Sequence, residues 1–178
     1  MAKEIEVKVL NICLDEMEKK LVELGAKLIA KEYQINTIFD SKDNYIEKDL
    51  NSYLRIRETK DLLTDEVHIN LTLKRNIGRK SVRQNIETTT EISDKQAMIS
   101  ILEGLRYEII GEGTKYRTSY VYQDIRFDLD RWDEDTYPYP YMEIEVKKEE
   151  DLEKAIKLLD INRANISTKS IVELQKNL

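Results

Sequence analysis

The stretch Glu4-Ile5-Glu6-Val7-Lys8 decides how this chain is read. It lies within residues 3–10, where Ile5, Val7 and Val9 alternate with Glu4, Glu6 and Lys8. A strand turns successive side chains to opposite faces, so one face here is apolar and the other fully charged. The same period recurs downstream. Residues 53–58 set Leu54 and Ile56 against Arg55 and Arg57, and residues 69–75 set Leu71 and Leu73 against Thr72 and Lys74. Residues 86–92 group Glu87, Thr89 and Glu91, and residues 115–122 group Lys115, Arg117 and Ser119. Residues 125–130 oppose Arg126, Asp128 and Asp130 to Ile125, Phe127 and Leu129. Residues 142–147 oppose Glu143, Glu145 and Lys147 to Ile144 and Val146.

Alternation alone describes a sheet with one face on a core and one in water. The signs of the charges carry more. Glu4/Glu6, Glu87/Glu91, Asp128/Asp130 and Glu143/Glu145 group acids along single strand faces, while Arg55/Arg57 and Lys115/Arg117 are bases two residues apart. Like charges at that spacing, about 7 Å, repel, and a face built for stability would mix them. Paired carboxylates suit a hard divalent cation. Paired bases suit phosphate oxygens, which Arg binds two at a time. Both together suit a metal–polyphosphate complex, and a closed antiparallel barrel supplies enough converging strands to surround one.

Composition sets the outer bounds. The 178 residues suit one domain spanning 1–178, and 40% apolar content is enough for a core at that length. No apolar run approaches the roughly 20 residues that span a bilayer, and the N-terminus carries no secretory apolar segment. A soluble cytoplasmic protein is expected. With one cysteine, Cys13, and one histidine, His68, neither a disulfide framework nor a Cys/His zinc site is available. The net charge of −6 argues against binding nucleic-acid polymers, which favours a basic surface. Cys13 reads as a small apolar residue ahead of a helix, and His68 as a surface residue at a loop edge.

Helical spacing is confined to a few segments. Leu14, Met17, Leu21 and Leu24 recur at helical spacing and stop at Gly25. Ser93 and Gln96 resemble a capping box ahead of Ala97, Ile101 and Leu105. Leu152, Ala155, Ile156 and Leu159 mark a third helix, with Glu149, Glu150 and Asp151 at its positive end. A fourth short helix is expected from about Thr168 onward.

In order along the chain, these motifs resemble the CYTH superfamily, the triphosphate tunnel metalloenzymes. Glu4-Ile5-Glu6-Val7-Lys8 is similar to its E-x-E-x-K signature. Gln34-Ile35-Asn36-Thr37-Ile38-Phe39-Asp40 resembles its Q-x-N/D-x-Y-F-D segment, Leu54-Arg55-Ile56-Arg57 its L-R-I-R strand, and Leu71-Thr72-Leu73-Lys74 its L-T-x-K strand. Glu87 to Asp94 resembles its acidic strand, Lys115-Tyr116-Arg117 its K-x-R, and Leu129-Asp130 its L-D. Met142-Glu143-Ile144-Glu145 resembles its E-I-E, and Thr168-Lys169-Ser170 its K-S-Y.

The resemblance implies an α+β fold: an eight-stranded antiparallel β-barrel tunnel with flanking helices and the charged faces turned inward. It implies substrate contacts from Lys8, Arg55, Arg57, Lys74, Lys115 and Arg117, with Arg83 and Lys169 as additions. It implies Mg²⁺ or Mn²⁺ held by Glu4, Glu6, Asp130, Glu143 and Glu145, with Glu87 and Glu91 as weaker claims, and catalytic duty at Glu4, Glu6 and Lys8. The partner expected is a triphosphate-containing small molecule such as tripolyphosphate, thiamine triphosphate or ATP. Neither a membrane nor a nucleic-acid polymer is expected, and a homodimer stays open as an assembly. Metal-dependent triphosphate hydrolysis leads; an adenylyl cyclase of class IV and a non-catalytic polyphosphate-binding module are the alternatives. Tyr137, Tyr139 and Tyr141 have two readings, as outer packing or as lining for one mouth of the tunnel.

Overall fold

A computed structural model describes the backbone of residues 2–79, 82–176 and 178, and the side chains of 5–78, 82–176 and 178. Eight long strands dominate: β1 (Ala2–Val9), β2 (Lys27–Ser41), β3 (Ser52–Asp61), β4 (Val67–Arg79), β5 (Arg83–Glu91), β6 (Tyr107–Tyr122), β7 (Ile125–Trp132) and β8 (Tyr141–Val146). They run in the order β5-β4-β3-β2-β6-β7-β8-β1, and β5 pairs with β1 to close the barrel. Every one of these pairings is antiparallel. A two-residue strand, β9 (Ile166–Ser167), pairs with Lys8 and Val9 where β1 extends past β5.

The apolar set faces outward, so helices cover it. Ile5, Val7, Val9, Phe127, Leu129, Met142, Ile144 and Val146 pack with Leu152, Ala155 and Ile156 of α4 (Glu149–Leu158) and with Leu21 of α1 (Leu14–Glu23). A fully buried side chain such as Phe127 or Ile144 contributes roughly 1.5–3 kcal/mol by leaving water. On the opposite wall, Phe39 of β2 and Ile56 of β3 pack with Ile92 and with Ile99 and Leu102 of α3 (Lys95–Gly104). This inverts the usual small barrel: its stability comes from the outside, which leaves the interior free to be polar.

Local signals explain the helix ends. α1 stops because Gly25 takes φ +82, letting its N–H reach Val22 O and the N–H of Ala26 reach Leu21 O. Asp94, not Ser93, caps α3, since its carboxylate accepts from the Ala97 N–H at 2.9 Å. The C-terminal helix is shorter than the spacing predicts: α5 spans Ile171–Gln175, with Ser170 and Glu173 forming a capping box. A four-residue helix, α2 (Tyr45–Lys48), and a 3-10 turn at Arg163–Asn165 carry no periodic signal in the sequence. Cys13 is the exposed N-cap of α1 and not an apolar anchor.

Candidate active site: the charged interior of the barrel

Register puts the charged residues on the inner wall. On β1 and β8, Glu6 stands opposite Glu145, and Lys8 opposite Glu143. On β6 and β7, Arg117 stands opposite Asp130, and Ser119 opposite Asp128. On β2 and β3, Asn36 stands opposite Arg57, and on β4 and β5, Lys74 stands opposite Glu87. Asp130 has no solvent exposure, and Lys115 and Asp128 have 2% each. Charges this deep persist only when paired.

Two ion networks line the wall. In the first, Arg117 holds Asp130 with Nε and Nη2 at 2.7 and 2.6 Å, Asp128 with Nη1 at 2.7 Å, and Glu143 with Nη2 at 2.7 Å. Lys115 Nζ donates to Asp130 at 2.9 Å, and Lys8 Nζ to Glu143 at 2.9 Å. In the second, Lys74 Nζ lies 2.7 Å from Glu87 and 3.4 Å from Glu6. Glu6 also accepts from Asn85 at 3.0 Å and faces Arg83 Nε at 3.6 Å. Arg57 Nε donates to Asn36 Oδ1 at 2.8 Å, and the Arg55 guanidinium lies 5.6 Å from the Tyr53 ring.

The environment moves the titrations. Burial alone would raise Asp130 and Glu143; the surrounding cations outweigh it, leaving Asp130 lowered and Glu143 well below the ordinary carboxylate range. Arg117, despite burial, is held above its usual value by Asp128, Asp130 and Glu143. The cations with too few acids move the other way. Burial, then the like charges of Arg55 and Arg117, bring Arg57 down to about 9. Burial and Arg117 outweigh Asp130 and bring Lys115 to about 7. Among the described residues, Arg57 and Lys115 are thus interior cations whose charge a neighbouring anion would favour.

Lys8, Arg55, Arg57, Lys74, Arg83, Lys115 and Arg117 converge on the interior, with Glu6, Glu87, Asp130, Glu143 and Glu145 among them. Lys169 is exposed on the loop after β9. Glu91 is exposed at the end of β5, 3.4 Å from the exposed His68. Glu4 stands in β1 opposite Asn85 by backbone register; its side chain lies outside the described residues. Gln34, Asn36, Thr72, Asn85 and Ser119 also line the wall and are nearly fully buried. As neutral residues they carry no charge signal, although their strand period places them beside the charged ones.

The donor set fits a hard divalent cation. Glu6 and Glu145 are direct cross-strand partners on the inner face. Opposed carboxylates destabilise a strand pair, and a cation between them removes that cost. Among the described residues, no three His, Cys, Asp or Glu side chains already surround one point. The protein cations hold Glu6, Glu143 and Asp130 instead, so a metal would displace ammonium or guanidinium groups.

The segment 133–140 packs against β6. Gly113 pairs with the inward Asn36, and a Cβ there would lie 2.3 Å from Thr136 Oγ1. The missing side chain thus makes room for Thr136 inside the bore. Asp133 fixes the turn by accepting from the Thr114 N–H at 2.5 Å and the Thr136 N–H at 2.7 Å. Gln175 of α5 donates to Thr136 O at 2.6 Å, and Tyr137, Tyr141 and Leu174 close a small apolar cluster behind it. The tyrosines divide between the two readings. Tyr141 is fully buried, opposite Asp130, with its hydroxyl accepting from Trp132 Nε1 at 2.8 Å and Lys8 Nζ 5.7 Å from its ring. Tyr137 packs against Tyr141, and Tyr139 is exposed.

Comparison with known proteins agrees with this architecture. The family model of the CYTH domain matches residues 2–173. No protein of curated function matches the sequence. The PH1012 protein of Pyrococcus horikoshii OT3 superposes with a TM-score of 0.78 at 22% identity, covering 96% of this chain and 98% of that one. An adenylate cyclase candidate from Vibrio parahaemolyticus superposes with a TM-score of 0.74 at 16% identity, covering 97% of each chain. HpAC1 from Hippeastrum, an adenylyl cyclase candidate described as having a dominant triphosphatase activity, gives 0.67 at 19% identity, covering 96% of this chain and 91% of that one.

Proposed function

The chain belongs to the CYTH domain family, and on that premise we propose that it hydrolyses a compact triphosphate with the help of Mg²⁺ or Mn²⁺. One observation carries this reading: Lys8, Arg55, Arg57, Lys74, Arg83, Lys115 and Arg117 line one barrel interior, where burial and like charge work against the cationic form of Arg57 and Lys115. A bound polyanion relieves both. A compact phosphate chain is favoured over a bulky nucleotide, because Tyr137 and Tyr141 are already packed and leave no free ring face for a base.

In this reading Arg55, Arg57, Lys74, Lys115 and Arg117 grip the phosphate oxygens, joined by Lys8 and Arg83. Asp128 and Asp130 hold the Arg117 fork in one orientation, so its donors need no reorganisation during the reaction. Glu6 and Glu145 would hold the cation, with Glu143 beside them in register and Glu4 the remaining candidate on β1; the cation would supply charge neutralisation and a lower pKa for water. Water attacks the terminal phosphorus. The bridging P–O bond breaks, and its electron pair leaves on the shortened polyphosphate, where the cationic wall stabilises it.

Incubation with tripolyphosphate, thiamine triphosphate or ATP, each with Mg²⁺ and Mn²⁺, tests the reading. Orthophosphate release supports it. Cyclic AMP with pyrophosphate from ATP replaces it with a cyclase, and tight binding without turnover replaces it with a binding module.

A further inference from the structure

Among the described residues, three buried side-chain polar atoms lack a hydrogen-bond partner: Gln34 Oε1, Asn36 Nδ2 and Arg55 Nε. They share one patch of wall. Gln34 and Asn36 occupy alternate positions of β2, and Ile38, two residues further, pairs with Arg55 of β3. Gln34 is 1% exposed and Asn36 2%. Buried polar groups are normally satisfied, so a cluster of exceptions marks where another molecule docks.

Charged neighbours fix which way each amide points. Gln34 Nε2 donates to Glu32 Oε2 at 2.5 Å; a flipped amide would press oxygen against that carboxylate. Asn36 Oδ1 accepts from Arg57 Nε at 2.8 Å; a flipped amide would press N–H against the guanidinium. The patch therefore offers two donors and one acceptor. The donors suit phosphate. The acceptor does not, since a phosphate oxygen without a proton has only lone pairs to offer.

We propose that Gln34 Oε1 receives the O–H of the attacking nucleophile, while Asn36 Nδ2 and Arg55 Nε hold a neighbouring phosphoryl oxygen. The inference rests on the triphosphate reading above and deepens it by assigning the nucleophile's place. The nucleophile is either water or a hydroxyl of the substrate; both present the same O–H. Its oxygen bonds to phosphorus as the bridging P–O bond breaks with its electron pair on the departing phosphate. The displaced proton leaves on the phosphate products. Gln34, a neutral amide, aims the O–H and takes no proton.

The test compares Gln34→Met with the unaltered chain on tripolyphosphate, which has no hydroxyl of its own to attack with, and on ATP. A fall in kcat of about tenfold or more on both, with KM within about twofold, assigns water to the site. A fall on ATP alone assigns a substrate hydroxyl. An unchanged kcat on both, or a raised KM on tripolyphosphate with kcat intact, overturns the proposal. A crystal structure of the unaltered chain soaked with tripolyphosphate in EDTA gives a readout independent of turnover. An ordered water on Gln34 Oε1 supports the assignment; a phosphate oxygen there, or nothing, overturns it. If the unaltered chain turns over none of the triphosphates, the catalytic reading fails, and this crystallographic result still decides where an O–H binds.

Discussion

Arg117 and Asp130 face each other across β6 and β7 and are joined by two parallel bonds, Nε to Oδ1 at 2.7 Å and Nη2 to Oδ2 at 2.6 Å. Asp130 also takes the Lys115 ammonium. Removing its charge takes away the ion-pair partner of the buried Lys115 and leaves Arg117 with Asp128 and Glu143 alone. Asp130→Asn is expected to lower stability by about 3–5 kcal/mol in urea unfolding. Tripolyphosphate should restore part of the loss by replacing the missing negative charge. An equally stable variant would refute this account of the wall.

Lys115 offers a proton count. Its folded value of about 7 lies below the ordinary 10.5, so between these pH values the unfolded chain holds a proton that the folded chain lacks. Stability from this group therefore rises with pH across that window, and its charged form is the costly one. A bound polyanion reverses the preference and draws the proton back. Calorimetry at pH 8 in buffers of different ionisation heat should show uptake of about one proton with tripolyphosphate. The uptake should vanish in Lys115→Met.

Arg57 sits among like charges, so function and stability should separate there. Arg57→Ala removes a cation that Arg55 and Arg117 disfavour, and its melting temperature should hold or rise. Its KM for a triphosphate should rise about ten- to a hundredfold, the worth of a charged hydrogen bond. If KM and kcat stay as they were, Arg57 does not touch substrate.

Glu6→Gln separates metal from phosphate. Glu6 now accepts from Lys74 and Asn85 and faces Arg83. The amide keeps the shape and loses a cation ligand. Turnover dependent on Mg²⁺ or Mn²⁺ should fall below detection, while tripolyphosphate binding in EDTA holds or tightens, read by calorimetry. A normal rate in this variant would remove Glu6 from the metal site.

Gly113 tests the contact with Thr136. A Cβ at this position meets Thr136 Oγ1 at 2.3 Å and Thr136 Cβ at 3.2 Å. Gly113→Ala should cost about 1–3 kcal/mol by overpacking. Thr136→Ala in the same chain should recover most of that loss in thermal unfolding.

How much of this was legible depended on the regularity of each strand. β1, β7 and β8 alternate without interruption, and their inward Glu6, Lys8, Asp130 and Glu143 are all visible from period alone. β2 and the first half of β6 are not, because register shifts at Leu28/Ala30 and Ile38/Phe39 break the alternation of both partners. That is why residues 107–114 carry no clear strand pattern, and why β2 is legible only through its family motif. Gln34 and Asn36 have the right spacing but, being neutral, leave no charge signal. Ser93 and Asp94 are both able N-caps, and only geometry separates them. Lys169 has charge and a matching motif, yet it is exposed on the loop after β9.

Thr136 occupies the room that a side chain at Gly113 would take. The two positions therefore share one volume and can change only together: a step up in size at 113 has to be met by a step down at 136.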